Sequence, residues 1–207
     1  MRTVFKIILT LTLLIPFISK CQNATNIPLS NRIDSLSKED QKWRNLLTEY
    51  DNNQFDSIPR DTILYNLKLT DSLNYLYLKD IINEYGFPNF KLVGENASHN
   101  FWLLIQHQDK NIAFQKEVLE LMKKEVHSKQ SSLIDYAYLL DRVQINSGEF
   151  QVYGTQMIIN SSGNSFEPKP CINPDKLDDR RKEVGLPPIN EYIRIMNDKY
   201  FGKLIKE

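Results

Sequence analysis

The sequence has little of the chemistry that usually marks a metal or redox site. It contains two cysteines, Cys21 and Cys171, and three histidines. Two cysteines provide neither a disulfide framework nor a thiolate cluster for zinc. His99 and His107 lie on one predicted helix, about 80° away from a common face at 3.6 residues per turn, which is poor geometry for joint metal binding. We therefore expect no metal site and no cofactor.

Familiar catalytic motifs are also absent. The chain has no glycine-rich phosphate loop, no His-Glu-x-x-His, no Cys-x-x-Cys and no Gly-x-Ser-x-Gly. No reaction can therefore be assigned by motif, and candidate residues have to be found from local patterns.

Residues 1–21 have the pattern of a signal peptide. Arg2 and Lys6 precede an apolar run at 7–18 that is too short to span a bilayer comfortably. Cys21 directly after this run favours lipid attachment there; the alternative is ordinary cleavage after Cys21. In both cases we expect an exported protein, either a membrane-anchored lipoprotein or a soluble periplasmic or secreted one.

The rest of the chain is slightly acidic. Without Arg2, Lys6 and Lys20, 23 basic residues remain against 26 acidic ones, a net charge near −3. This balance argues against nucleic acid or an anionic membrane surface as a partner. We expect membrane contact only through a lipid at Cys21.

The remaining residues predict one domain after a short tether. Residues 22–37 are polar and are interpreted as flexible, and residues 38–207 are long enough to bury one core. Apolar residues at helical spacing predict helices from about residue 37 and at 61–85 (or 70–85), 96–108, 112–127, 131–140, 173–184 and 190–200. In the second of these, Leu73, Leu76, Tyr77 and Ile81 are predicted to be buried.

Residues 141–156 predict a β-hairpin. The tetrad at 146–149 contains Asn, Ser and Gly, which tolerate the positive φ of a tight turn. Pairing Ile145 with Phe150 and Val143 with Val152 places four apolar side chains on one face. The other face then carries Arg142, Gln144, Gln151, Tyr153 and Thr155. With a further turn at 161–164, the pattern predicts an α+β fold, mainly helical with a three-stranded antiparallel meander.

His107 is the most interesting imidazole. It lies at the end of one predicted helix, just before the next, where side chains often face a cleft, and could act as a general base oriented by Asp109 or Asp141. The alternative is a core histidine bonded to a backbone carbonyl. Asp141 and Arg142 are either an acid with an anion clamp or a buried ion pair.

An ordered series of short motifs carries a family resemblance. The series is Asp40-Gln41-x-x-Arg44, Tyr85-Gly86-Phe87-Pro88, Val93-Gly94, Gln106-His107-x-Asp109, Phe114-Gln115, Tyr138-Leu139, Asp141-Arg142-Val143, Gly148-x-x-Gln151-x-Tyr153-Gly154-Thr155-Gln156, Arg181, Gly185-Leu186-x-Pro188 and Glu191-Tyr192. It resembles a bacterial family of domains of unknown function, number 6624, over about residues 40–192. Phe87 stands where that family usually has Trp, and Gln108 where it often has Ala. The resemblance implies one fold unit with a site, but no reaction and no ligand.

The candidate cluster follows from these residues. It comprises Gln106, His107, Asp109, Asp141, Arg142, Gln151, Tyr153, Thr155 and Gln156. The first hypothesis is an envelope protein that binds a small polar or peptide-like ligand on the polar hairpin face. The second is a metal-independent hydrolase in which His107 is the general base and Arg142 and Tyr153 stabilise developing negative charge. The third is a purely structural polar network. Asp40, Gln41 and Arg44 either join the cluster or cap a helix elsewhere.

Overall fold

The computed structural model describes residues 25–202. The predicted signal peptide and Cys21 lie outside these residues. The elements in chain order are the helices α1 Ile27–Asp51, α2 Arg60–Tyr85, α3 Phe90–Val93, α4 Glu95–Gln106, α5 Ile112–His127 and α6 Leu133–Asn146, the strands β1 Met157–Ile159 and β2 Phe166–Pro168, and the helices α7 Leu177–Glu183, which follows a 3-10 turn at Pro174–Lys176, and α8 Ile189–Tyr200.

The first helix begins before the position where the domain was expected to start. The side chain of Asn26 accepts a hydrogen bond from the Leu29 N–H and so caps α1. Leu29 and Ile33, four residues apart, are both buried in the core. The prediction of a flexible tether over 22–37 is therefore wrong for residues 27–37. A few apolar residues at helical spacing are enough to pack this part of α1 against the core.

Helix α4 lies at the centre of the helical layer. It packs against α1, α2, α5 and α6. Phe101, Leu104 and Ile105 are fully buried, as their spacing in the sequence predicted. This central position fixes the end of α4, where His107 lies, among three neighbouring helices.

Helix α2 buries a different face from the predicted one. Leu73, Leu76 and Tyr77 are 45%, 57% and 40% exposed, whereas Ile81, also in the predicted stripe, is buried. The other buried residues of α2 are Ile63, Asn74, Leu78 and Ile82. The prediction failed because α2 carries apolar residues on two faces, and periodicity does not say which face meets a neighbour.

The predicted hairpin at 141–156 is wrong. Residues 141–146 are the last turns of α6, and Gly148, with φ 81°, follows the end of that helix instead of turning a hairpin. Because a helix end and a hairpin turn both favour glycine at positive φ, the same tetrad fits either structure. Within residues 25–202 the sheet has two strands rather than three. Its antiparallel register pairs Met157 with Pro168 and Ile159 with Phe166. Gln151 and Cys171 form only an isolated bridge.

Helix α6 is buried on two sides, which explains the misreading. Leu139 and Val143 join the main core, whereas Ala137 packs with Val184 and Leu186 in a second, smaller cluster. Alternate residues of the helix are therefore buried, and this spacing resembles that of a strand. The coarse prediction of a mainly helical fold with a small antiparallel sheet is confirmed. No helix within residues 25–202 has both the length and the apolar character needed to cross a membrane.

Candidate functional site

The predicted candidates separate into two places around α6. His107, Asp109 and Arg142 line an open cleft, and Gln106 lies buried behind it. Asp141, Gln151, Thr155 and Gln156 instead form a hydrogen-bonded network in the loop that follows α6. The spatial cluster expected from the sequence is thus divided.

The cleft is formed by three helices and the turn between α4 and α5. Its volume is about 430 Å³. Its walls are predominantly polar, and the residues that line it are Arg44 of α1, Lys68, Asp71 and Ser72 of α2, the turn residues His107, Gln108, Asp109, Lys110 and Asn111, and Arg142 of α6.

His107 and Asp40 form the buried side of this cleft. His107 directly follows the last residue of α4, and its Nδ1 lies 2.9 Å from Oδ2 and 3.1 Å from Oδ1 of Asp40. The Asp40 side chain is 1% exposed and that of His107 is 16% exposed. Because a carboxylate accepts but does not donate, Nδ1 carries a proton, and in the neutral imidazole Nε2 carries the lone pair. Nε2 makes no hydrogen bond within residues 25–202 and is not a buried unpaired atom.

Asp40 is held in its ionised form by further donors. Nε and Nη2 of Arg44, one helical turn later, donate to its carboxylate at 3.1–3.2 Å, and Nε2 of Gln41 donates at 2.8 Å. Burial alone would raise the pKa of Asp40, but the hydrogen bonds from His107 and Arg44 outweigh it and lower that pKa. Asp40, Gln41 and Arg44, whose place was left open by the sequence, therefore belong to the cleft.

Arg44 also connects α1 to α2. Its Nη2 lies 2.5 Å from Oδ1 of Asp71. Burial raises the pKa of Asp71 above its ordinary value, although Arg44 opposes this shift. Gln108 donates from Nε2 to the backbone carbonyl of Asp71 at 3.1 Å, which ties the α4–α5 turn to the same point of α2.

Arg142 is fixed on the other wall of the cleft. Its Nε donates to Oε1 of Gln106 at 2.6 Å, and its Nη1 lies 2.9 Å from Oδ2 of Asp109. Asn146 donates to the other oxygen of Asp109 at 2.9 Å. These contacts fix the direction of the guanidinium.

Two lysines face the cleft without a carboxylate partner. Among residues 25–202, neither Lys68 nor Lys110 forms an ion pair, whereas Arg44 and Arg142 are paired with Asp71 and Asp109. The lining thus has more positive than negative charge. The N-terminus of α5 lies at the same edge, and the side chain of Asn111 does not cap it.

Asp141 has a different environment from its neighbour Arg142. Its carboxylate is fully buried and accepts hydrogen bonds from the backbone N–H groups of Val152, Tyr153 and Thr155 and from the Thr155 hydroxyl, at 2.7–3.2 Å. All acceptor positions of the carboxylate therefore serve the loop. This arrangement leaves Asp141 no route to His107 and gives it the geometry of a structural anchor.

The remaining loop candidates also point inward. Buried Gln151 donates to the backbone carbonyls of Gln156 and Lys169 and accepts from the Gln156 N–H. Gln156 also donates from its side chain to the Thr155 hydroxyl at 3.1 Å. Half-buried Tyr153 packs against the small cluster of Ala137, Val184 and Leu186, and burial raises the pKa of its hydroxyl.

A family model described as a family of unknown function, DUF6624, matches residues 28–206. The chain belongs to this family. A search of curated proteins and a search of solved structures found no match.

Several cleft residues of this DUF6624 chain were not selected from the sequence. They are Lys68, Asp71, Ser72, Gln108, Lys110 and Asn111. The spacing of Asp40 and Arg44 on a helix was a usable signal, because residues four apart share a face. Asp71 gave no such signal, since its contact with Arg44 depends on how α1 and α2 pack.

Arg181 completes the loop network of the DUF6624 chain. This residue is fully buried; it donates to the carbonyls of Pro187 and Tyr153 at 2.6 Å, and its guanidinium lies 5.0 Å from the Tyr192 ring centre. The guanidinium thereby connects α7, on which it lies, to α8 and to the loop. No group of three or more His, Cys, Asp or Glu side chains within the described residues is placed to hold a metal ion.

Proposed function

We propose that this protein is an exported, envelope-associated binding protein whose cleft takes a small polar ligand with an anionic group. The observation that supports this proposal best is the pair of lysines, Lys68 and Lys110, that face the cleft without ion-pair partners within residues 25–202. An anion between them would gain attraction from two sides, and the partly buried Arg44 and Arg142 would add to it.

The size and lining of the cleft support a small ligand. A volume of about 430 Å³ is within the range of about 300–1,000 Å³ that is usual for small-molecule sites. The neutral polar groups of Ser72, Gln108 and Asn111 lie beside the charged ones and offer hydrogen bonds to hydroxyl, amide or carbonyl groups. We therefore expect a polar molecule with at least one carboxylate or phosphate.

Arg142 is the side chain best prepared to bind this anionic group. Gln106 and Asp109 hold its Nε and Nη1, so little side-chain freedom remains to be lost on binding. Arg44 is similarly held by Asp40 and Asp71. Preorganised guanidinium groups favour planar, two-point contacts with carboxylate or phosphate oxygens.

The proposal of export is supported by the composition of residues 1–21, with its basic start, apolar run and Cys21. A ligand of the cell envelope is consistent with that location. Mass spectrometry of the mature N-terminus would distinguish a lipid on Cys21 from simple cleavage.

The binding proposal is tested by titrating the mature protein with inorganic phosphate and with succinate while following thermal unfolding. Binding at a hundred times the dissociation constant should add about 2.7 kcal/mol to the free energy of unfolding. The double variant Lys68→Gln/Lys110→Gln should lose this stabilisation.

The matched control is Lys116→Gln/Lys123→Gln, which removes the same charge from two exposed positions of α5 away from the cleft lining. It should bind like the wild type. If neither anion stabilises the wild type, or if both double variants lose binding equally, the proposed site is wrong.

A further inference from the structure

We propose that His107 is a general base that activates water for the hydrolysis of a phosphodiester held in the cleft, and that Asp40 is its positioning residue. This inference rests on the proposed anion-binding function of the same cleft. It adds a reaction, a substrate class and a division of roles between the two residues.

The first support is the orientation of the imidazole. Nδ1 of His107 is bonded to a carboxylate that is almost completely buried, at 2.9 Å. In the neutral ring, Nε2 is consequently the unprotonated nitrogen; it has no partner within residues 25–202, while the ring itself lines the cleft. A basic nitrogen that is accessible, and whose ring is fixed by a carboxylate, meets the geometric requirement for accepting a proton from water.

The second support is that Asp40 is itself immobilised. Arg44 and Gln41 both donate to its carboxylate, so the oxygen that faces His107 cannot rotate away without loss of several hydrogen bonds. A fixed carboxylate selects the ring tautomer and stabilises the imidazolium that forms after proton transfer. Asp40 acts only through His107, because its side chain is 1% exposed and cannot meet a substrate.

The third support is the distribution of cations around the imidazole. Arg44 comes from α1, Lys68 from α2, Lys110 from the α4–α5 turn and Arg142 from α6. Charge in the transition state of phosphoryl transfer is spread over several oxygens in different directions. Donors on several walls fit that distribution better than they fit the single oxyanion of a carboxylic ester, for which a compact pair of N–H groups is enough.

The carboxylates facing the same space are Asp71 and Asp109. Each is paired with one of the arginines, so neither is the nearest partner of the imidazole. Asp71 approaches the site from α2 and Asp109 from the α4–α5 turn. Their negative charges reduce the positive potential in the cleft, but within the described part of the chain they form no ion pair with the two lysines.

The reaction step is balanced without any further reagent. The oxygen of a water molecule attacks phosphorus, and its proton passes to Nε2 of His107. The bond between phosphorus and the leaving oxygen breaks on the opposite side. The leaving oxygen takes a proton from water, and the imidazolium returns its proton to water. The products are a phosphate monoester and an alcohol, with no change of oxidation state.

The test is the hydrolysis of bis(4-nitrophenyl) phosphate by the mature protein, followed as release of 4-nitrophenol. His107→Gln should lower kcat by about 10²–10⁴-fold, the usual contribution of a general base. Stabilisation by inorganic phosphate should remain, because the cationic groups are unchanged. 4-Nitrophenyl acetate should be a poor substrate, since it has no anionic group.

His99→Gln is the matched control. His99 lies on α4, the helix that ends just before His107. Its Nδ1 is also paired with an aspartate, Asp135, at 2.8 Å. Its side chain is 51% exposed, and it is not part of the cleft lining. This variant should hydrolyse the diester at the wild-type rate.

Asp40 is tested through the pH profile and the ring tautomer. In Asp40→Asn we expect kcat to fall while KM changes little, and the limb of the pH profile that reports the base to move. Long-range ¹⁵N–¹H correlation of wild-type His107 at neutral pH should show the proton on Nδ1, a result that does not depend on the refolding of a variant.

The possible failures are distinguishable. If phosphate stabilises the wild type but the diester is not hydrolysed faster than by His107→Gln, the catalytic inference is wrong and the binding proposal stands. A proton found on Nε2 of the free protein would also overturn the inference. If succinate binds to the wild type but phosphate does not, only the catalytic inference fails; if neither anion binds, both proposals fail.

Discussion

Nδ1 of His107 lies 2.9 Å from the carboxylate of Asp40, although the two residues are 67 positions apart in the chain. The contact joins the middle of the first long helix to the end of the fourth. It decides which nitrogen of the imidazole is free, and Arg44 strengthens it from the next turn of α1. The stability of the fold and the orientation of the imidazole therefore depend on the same carboxylate.

Asp40→Asn should reduce the free energy of unfolding by about 1–3 kcal/mol at pH 7, because buried donors would lose a charged acceptor. The folded-state pKa of Asp40 lies below its ordinary value of 3.8, so its stabilising effect is complete above that value and is lost as the pH falls through the lower, folded-state pKa. Urea unfolding of wild type and variant between pH 7 and pH 2.5 measures this. The gap between the two proteins should narrow at the acidic end. A gap of constant size would contradict the assignment, and Asp61→Asn, at an exposed position of α2, serves as control.

Asp141→Asn should cost more, about 3–5 kcal/mol in total, because several buried donors would lose a charged acceptor at about 1–3 kcal/mol each. Three backbone N–H groups and one hydroxyl point at this carboxylate, and an amide NH₂ would oppose one or more of them. Thermal and urea unfolding measure the effect. Asp179→Asn, on the exposed side of α7, should be nearly neutral. A small effect at Asp141 would show that the loop does not need the anchor.

Gly154→Ala and Gly163→Ala separate packing from backbone strain. Both glycines have positive φ, 68° and 70°, so each alanine costs about 1–2 kcal/mol from conformation alone. At Gly154 a Cβ would also lie 3.3 Å from side-chain atoms of Ile189 and Leu177, whereas at Gly163 it would meet nothing within 4 Å. We expect Gly154→Ala to cost at least about 1 kcal/mol more by chemical unfolding, because the added methyl overpacks the site. Equal losses would contradict the close packing at Gly154.

Leu78→Ala and Leu76→Ala test which face of α2 is buried. Leu78 is fully buried and Leu76 is 57% exposed. The first substitution should cost about 2–5 kcal/mol and the second less than about 1 kcal/mol, because only Leu78 leaves a cavity. Equilibrium unfolding of the two variants compares the same chemical change two residues apart. The reverse order would support the stripe that periodicity predicted.

Local patterns predicted most of the helices correctly. Helix α5 has the predicted bounds, 112–127, because its apolar residues follow one clean face and basic residues lie in its last turn. Gly185, with φ 79°, ends the helical segment that begins at Pro174, also as predicted. One-sided burial and a strong helix-ending residue made these segments predictable from the sequence.

Helix α6 could not be read in this way, because two separate clusters bury it. Leu139 faces the main core and Ala137 the smaller one, so the usual contrast between an apolar and a polar side is lost. A helix with two buried sides and an Asn-Ser-Gly end has the local signals of a strand followed by a turn. The error then placed Arg142, Tyr153 and Gln151 on one surface that does not exist.

The candidate site was predicted in part for a similar reason. Gln106, His107, Asp109 and Arg142 come together as expected, since a polar helix end beside a neighbouring helix is a local feature. The pairing of His107 with Asp40 is a long-range contact, fixed by how α1 crosses α4, and no spacing in the sequence encodes it. Asp71 entered the site through the same packing.

Two consecutive residues of α6, Asp141 and Arg142, contact different parts of the protein. Arg142 lies in the wall of the cleft, while Asp141 is fastened to the backbone of the segment that follows the helix. A helix turns as one body, so twisting it to move the guanidinium would pull the carboxylate out of its ring of amides. The hydrogen bonds of Asp141 therefore resist rotation of α6. The orientation of the Arg142 side chain in the cleft depends on residues 152–155 as much as on its own contacts.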